Sequence, residues 1–489
     1  MKFLVVGFDG LRPEMVVEEL MPNLFCFAQR GVNFESHRCC FPSSTYVNLP
    51  SLVTGTTAAQ HGIVANYYLD RSVDPRERFE GSSVTRIEKA QQAYNGKLYG
   101  TLSAGEILGL AGRRLAVIST NTAGSVRLKH HQVFDHSHLC LSCHTPETSY
   151  SADEVAQIVA RLGAPPQKVF PNLEGITYAT DVFLEHICRR ELPDLTILWY
   201  DEPDDSYHAY GIGAPESLQA LWHADSEFAR VIEWWRSSDQ QDSLQILVAS
   251  DHGQITQKTK VSLAELLRDA GFKVDHHLED GADLALIAGY CGGILVRDND
   301  PGLTRAIGEA LMAFDCCGMV FSAGRDEVEG IIPGSFSKSL VMVDHPRSPD
   351  IYYVLRTENE SDGHGYIGNC YFDSELPVGG GIHGGLHPKE IHSTLIAGGT
   401  FFRESARIET CSGITDILPT VLHGLGMSLP DSTDGRVLYE AMAGSEGAIP
   451  DTVSEEFATG AGSYQQLLQR KRVENTVYLD GGWRSRSRR

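Results

Sequence analysis

Short apolar runs bounded by turn residues alternate with amphipathic helical stretches along the chain, and this alternation restricts the fold more than any other feature. The runs Phe3–Phe8, Leu115–Ser119, Leu195–Tyr200, Leu244–Ser250 and Ser393–Ala397 read as strands. Helical periodicity falls at Ala152–Leu162, Tyr178–Arg189, Glu216–Arg236 and Thr415–Leu425. Nearly continuous apolar strands separated by helices predict an α/β, doubly wound, mostly parallel sheet covered on both faces. The 489 residues exceed the roughly 250–300 that one core usually serves, which allows one large α/β domain with an inserted subdomain or two ordinary domains. Residues from about 254 to 380 carry their own smaller set of elements, with a helix near Leu303–Phe314 and a strand near Ile351–Leu355. They read as an α+β cap inserted in a catalytic domain spanning 1–440. The Gly, Ala and Ser around 441–449 read as a linker, and 441–489 as linker plus C-terminal tail, its basic end solvated.

Charge narrows the partners. Lys plus Arg number 41 against 64 Asp plus Glu, a formal net charge of −23, which repels nucleic-acid polymers and anionic membranes at long range. A small anionic substrate would then need local positive charge, which metal ions supply. No apolar run reaches the roughly 18 residues of a bilayer span, and MKFLVVGFDG reads as a strand rather than a signal peptide. Eleven Cys without a secretion signal point to reduced thiols and a cytoplasmic protein. Cys140, Cys143 and His144 match a haem-attachment spacing, and His136 and His138 lie nearby, but one short cluster without a second Cys pair is weak evidence for a haem or zinc site.

In doubly wound sheets function collects beyond the carboxyl ends of the strands. Asp9, Thr120, Asp201 through His208, and Asp251-His252 all follow predicted strands. Asp9, Asp204, His208, Asp251, His252 and His383 together give three carboxylates and three imidazoles, a ligand mix that suits two divalent ions, zinc first and manganese or iron as alternatives. Asp204 and His208, four apart, share a helical face, and adjacent Asp251 and His252 leaving a strand can bracket one ion. The segment Phe41–Gly55 offers hydroxyls at a helix start, where backbone N–H groups and the dipole favour an anionic oxygen and an incoming phosphate. Ser43 and Ser44 read as helix caps.

The ordered set Phe8-Asp-Gly10, Thr45-Tyr-Val-Asn48 with Val53-Thr-Gly55, His61-Gly-Ile-Val-Ala-Asn66, Glu202-Pro-Asp204 with His208, Ser250-Asp-His-Gly253, His383-Gly384 and Thr415-Asp-Ile-Leu-Pro-Thr420 resembles the type I phosphodiesterase/nucleotide pyrophosphatase family of the alkaline phosphatase superfamily. The resemblance spans residues 3–440 and implies an alkaline-phosphatase-like fold and hydrolysis of phosphate esters through a phosphothreonine on Thr45. It implies that Asn48 holds the transferring phosphoryl oxygens, that Tyr46 stacks on a substrate base, and that Asn66 contacts substrate. It further implies one ion on Asp204, His208 and His383 and another on Asp9, Thr45, Asp251 and His252. A small-molecule phosphate ester is the expected partner, and a homodimer is compatible with this reading.

Rivals within the superfamily are weighed by register. Sulfatases place a modified Cys nine residues before a Thr-Gly pair; here that position is Thr45, and Cys40 stands five residues too early. Phosphonoacetate hydrolases carry lysines in the loop after the Leu115–Ser119 run, whereas this loop has none before Lys129. A C–P hydrolase, a phosphomonoesterase and an inactive binding homologue remain the alternatives. His383 has the family's spacing to the following strand and His364 does not. His387 and His392 read as loop supports, and His61 and His423 as structural.

Overall fold

The computed structural model describes residues 1–133, 138–279, 281–445 and 449–485. Its centre is an eight-stranded sheet. In chain order the strands are β1 (Lys2–Phe8), β2 (Val32–Phe34), β3 (Leu115–Ser119), β4 (Leu139–Ser142), β5 (Leu195–Tyr200), β6 (Leu244–Ala249), β7 (Leu395–Gly398) and β8 (Ala406–Ile408). Across the sheet they run β8-β2-β7-β6-β1-β5-β3-β4. Only β7 is antiparallel to its neighbours, so the sheet is mostly parallel, and β3, β5 and β6 are buried along their whole length, as a sheet covered on both faces requires.

Side chains of β1 alternate between two apolar cores. Phe3 and Val5 join Leu49, Leu52 and Val53 of the helix Thr45–Thr54 and Leu418 of the helix Ile417–Gly424. Leu4, Val6 and Phe8 join Leu221, Phe228 and Val231 of the long helix Pro215–Ser237 on the other face. The two cores clamp the sheet, so the loops at the carboxyl ends of β1, β5 and β6 are carried on rigid elements.

The insertion contains two sheets. Six strands between Val274 and Ser337 and at Ile351–Leu355 form one, against the helix Pro301–Ala313. Thr357–Ser361, Ile367–Phe372, Ile255–Lys260 and Gly381–Ile382 form the other. Their apolar residues make a third core.

Much of the region expected as linker and tail is instead a three-stranded antiparallel sheet, Thr452–Ala461, Tyr464–Val473 and Thr476–Arg484. Tyr464, Leu468 and Leu479 enter the cap's core, and Gln466 exchanges hydrogen bonds with the backbone of Val320, Oε1 accepting from its N–H at 3.1 Å and Nε2 donating to its carbonyl at 3.0 Å. The same sheet reaches the catalytic region, where Tyr478 donates to Asp416 at 2.8 Å. Among the described residues no helix is long and apolar enough to cross a membrane.

Candidate active site

The loops after β1, β5 and β6 converge with residues 382–384 on one end of the sheet. Gly7 admits this convergence: a Cβ there would stand 2.0 Å from the Trp199 ring. Gly10, at φ +70°, turns the chain directly after Asp9 against Asp204.

Thr45 opens the helix Thr45–Thr54, with Ser44 extended before it. The Thr45 Oγ1 lies 3.0 Å from His252 Nε2 and 3.5 Å from Asp9 Oδ1. Around it are two groups whose ligand atoms all lie within 4.8 Å of one another: Asp9, Asp251 and His252, and Asp204, His252 and His383. Asp9, Asp251 and His252 are thus brought together, while His252 also faces the second group, its ring stacked on that of His383 at 3.7 Å. His208 stands outside the tight group, its Nε2 3.3 Å from Asp204 Oδ2, on the same face of the helix Asp204–Tyr210.

The site fits divalent cations on the chemistry of its donors. Each imidazole has its Nδ1 against a backbone carbonyl, His208 on Gly381 at 2.7 Å, His252 on Gly253 at 3.1 Å and His383 on Ser43 at 2.8 Å, which aims each Nε2 inward, as ligating histidines require. Burial holds His252 and His383 neutral, each lowered to about 4. Burial also opposes charge on His208, but Asp204 outweighs it and raises the imidazole to about 9. Asp9 is raised well above the carboxylate range by burial and by the charges of Asp251 and Asp204. Asp251 Oδ2 is buried and accepts no hydrogen bond. Three buried carboxylates that repel one another call for cations.

A supporting layer, not anticipated from sequence, fixes these ligands. Asn121 and Trp199 donate to Asp9 Oδ2 at 2.8 and 3.3 Å, leaving Oδ1 toward Thr45. Lys129, fully buried, donates to Asn121 at 3.0 Å and Ser119 at 3.2 Å; burial lowers it to about 8 against the pull of Asp9 and Asp251. Gln254 donates to Asp204 Oδ1. Asn121 and Gln254 lie in loops after predicted strands, so the strand-end rule could have found them; Trp199, within a strand, gave no such signal.

A cavity of about 400 Å³ opens over Thr45 and is lined also by Tyr46, Asn66, Asp204, His208 and His383, and by cap residues of the hairpin around Tyr290. Asn66 accepts from the Tyr46 N–H through Oδ1 at 3.2 Å, which orients its amide nitrogen as a donor. Asn48 is placed differently from the expectation. It is fully buried, accepts from the Cys40 N–H at 2.7 Å and donates toward the carbonyls of Cys40, Pro42 and Ser44. It shapes the loop before Thr45 and has no group left for a phosphoryl oxygen. Ser43 and Ser44 make no side-chain cap; Ser43 donates to the Gly385 carbonyl at 2.8 Å.

The remaining histidines stand apart from the cavity, and of the cysteines Cys291 lines it. His364 is exposed, His387 faces Asn359 at 2.7 Å, His392 pairs with Asp480 at 3.3 Å and His61 bonds Ser51 at 3.1 Å. His138 bonds His130 at 2.8 Å and His144 the Pro166 carbonyl at 3.0 Å; His136 lies outside the described residues. All eleven cysteines are free.

The family model of type I phosphodiesterase/nucleotide pyrophosphatase matches residues 3–361. The chain belongs to the type I phosphodiesterase/nucleotide pyrophosphatase family. Within the family it is 24% identical over 289 residues to human ectonucleotide pyrophosphatase/phosphodiesterase family member 5, covering 58% of this chain and 51% of the relative. It is 24% identical over 260 residues to the bovine bis(5′-adenosyl)-triphosphatase of family member 4, covering 53% and 48%. The chain thus spans about half the length of these curated relatives. Murine family member 5 superposes with a TM-score of 0.60 at 19% identity, covering 88% of this chain and 96% of that one. The same murine protein as an inactive threonine-to-alanine variant in complex with AMP gives 0.58 at 18%. These likenesses give the alkaline-phosphatase-like fold with a cap.

Proposed function

We propose that the protein is a two-metal phosphodiesterase that cleaves small phosphodiesters through a covalent phosphothreonine on Thr45. The reading is carried by one observation: Thr45 Oγ1 sits at a helix start, open to the cavity, 3.0 Å from His252 and 3.5 Å from Asp9. Asp9, Asp251 and His252, and Asp204, His383 and His208, would each hold a divalent cation, zinc being the best fit to the mixed oxygen and nitrogen donors and manganese or iron next. Such ions supply charge neutralisation and lower the pKa of a bound hydroxyl or water.

The chain's own groups then do the following. Thr45 Oγ1 forms a bond to phosphorus as the bond from phosphorus to the first leaving oxygen breaks, and that oxygen takes up a proton. Asn66 Nδ2 and the helix N-terminus receive the negative phosphoryl oxygens. Water then attacks the phosphothreonine, Thr45 recovers its proton, and a phosphomonoester leaves. Asn66 in this scheme takes the part that the family resemblance suggested for Asn48. Tyr46, hydrogen-bonded at 3.3 Å to Thr122, offers a ring for a substituent to stack on. Lys129, buried behind Asp9, is out of reach of a substrate carboxylate, which sets the C–P hydrolase reading lower. The free thiols support a reducing compartment such as the cytoplasm.

The test is a substrate panel on the metal-loaded protein: aryl diester, aryl monoester, phosphonoacetate and sulfate ester. Preferred turnover of the diester is expected. Faster phosphate release from the monoester or from phosphonoacetate would replace this reading with the matching rival.

A further inference from the structure

Beyond Thr45 the cavity changes character. Its outer wall is aromatic and aliphatic, with Tyr67, Tyr68 and Leu376 facing Ile287, Leu295 and Tyr352 of the cap. Asp205 also lines the cavity. The nearby ammonium of Lys168 is committed elsewhere: its Nζ lies 2.9 Å from Asp201 Oδ2 and 2.5 Å from Asp205 Oδ2. Two carboxylates around one ammonium leave no unpaired positive charge at this corner. Arg78 stacks on the Tyr67 ring at 4.4 Å but does not line the cavity, and among the described lining residues there is no Lys or Arg.

A nucleoside triphosphate or dinucleoside polyphosphate would bring two or more further negative charges into this outer region. They would leave water for tyrosine rings, leucine and isoleucine with no unpaired cation beside them, and a charge desolvated without a partner is costly. The molecule's overall −23 adds long-range repulsion. An aryl or alkyl substituent meets the opposite situation, since burial of its apolar surface against these side chains is favourable.

We infer that this site selects phosphodiesters whose single negative charge lies on the transferring phosphoryl group and whose second substituent is an uncharged aromatic or aliphatic group, and that it discriminates against polyphosphate substrates. The inference rests on the phosphodiesterase reading above and specifies its substrate class. The reaction is hydrolysis: one phosphorus–oxygen bond breaks, and water gives OH to phosphorus and H to the leaving oxygen.

The experiment uses the full-length, metal-loaded chain with bis(4-nitrophenyl) phosphate and the 4-nitrophenyl ester of thymidine 5′-monophosphate against ATP and diadenosine triphosphate. Specificity constants for the singly charged esters should exceed those for the polyphosphates by roughly tenfold or more. Competition against the aryl diester should show AMP methyl ester binding more tightly than ATP, a comparison free of leaving-group reactivity. Leu376→Lys, which adds a cation to the outer wall, and Asp205→Asn, which removes one of the two carboxylates around Lys168, should each raise the ratio of ATP to aryl-diester turnover. That ratio, compared between proteins, cancels intrinsic reactivity. ATP or diadenosine triphosphate turned over as well as the esters, tighter ATP binding, or a ratio unmoved in both variants would overturn the inference. Silence on every diester would overturn the phosphodiesterase reading itself, and this inference with it.

Discussion

The two ends of the cavity are built by different means. At the floor, Asp9, Asp204, Asp251 and His252 follow the ends of three adjacent parallel strands, Asp9, Asp251 and His252 fully buried and Asp204 nearly so. At the roof, the wall comes from an inserted hairpin around Tyr290 that packs on residues 384–385 and shares one buried carboxylate with the floor. Glu390, fully buried, accepts from the Tyr290 hydroxyl at 2.8 Å and the Gly385 N–H at 2.8 Å, and lies 3.4 Å from Ser43 Oγ. Ser43 in turn presents its carbonyl to His383. The floor concentrates charge that a packed sheet holds rigid, and the roof is neutral and joined by a few hydrogen bonds. Chemistry should therefore be lost abruptly by changes at the floor, and affinity adjusted gradually by changes at the roof.

The largest effect is expected at Thr45. Thr45→Ala should lower kcat by roughly three to six orders of magnitude, with Thr45→Ser keeping part of it; full activity in the alanine variant, read by steady-state kinetics, would remove Thr45 from the mechanism. Next come the ligands. Chelation should abolish turnover and zinc or manganese restore it, and elemental analysis should find His383→Ala depleted of metal and His364→Ala unchanged. The reverse pattern would show the wrong histidine assigned.

The two asparagines separate floor chemistry from scaffold. Asn66→Ala should cost about 100-fold in kcat with little change in Tm. Asn48→Ala should instead destabilise the fold by about 2 kcal/mol, because it strands buried backbone groups. Exchanged phenotypes would restore the family-derived role of Asn48. At the roof, Tyr290→Phe should raise KM a few-fold and leave the metal content intact; a loss of metal would mean that the cap controls the floor directly.

The smallest effect concerns the C-terminal sheet, through Asp480. Burial opposes ionisation of Asp480, but His392 and Arg38 outweigh it and hold the carboxyl well below its ordinary range. A depressed folded pKa contributes stability above the unfolded value of about 3.9, which is lost as pH falls through and below it. Asp480→Asn should cost about 1 kcal/mol at pH 7, this partly exposed pair being screened by solvent, and should flatten the fall of Tm between about pH 5 and 2. An unchanged acid profile would detach this pair from the stability of the sheet.

The alternation of apolar runs and helices was enough to predict a mostly parallel sheet and to locate β3 and β5 to the residue. Local pattern suffices there because a strand buried on both faces must be apolar throughout, whatever packs on it. The convergence of Asp9, Asp204, Asp251 and His252 was legible for the same reason, since strand ends in such a sheet project to one side. The short strands β2 and β8 were not: three residues carry too little periodicity. Nor was the C-terminal sheet, whose Tyr464–Val473 strand is mostly polar and is ordered by burying Tyr464 and Leu468 in a core supplied by residues more than a hundred positions away. The inward turn of Asn48, the outward one of Asn66 and the clamp on Lys168 likewise arose only in the assembled chain. Those outcomes depend on which backbone groups and charges long-range packing brings within hydrogen-bonding distance, and no local pattern encodes that.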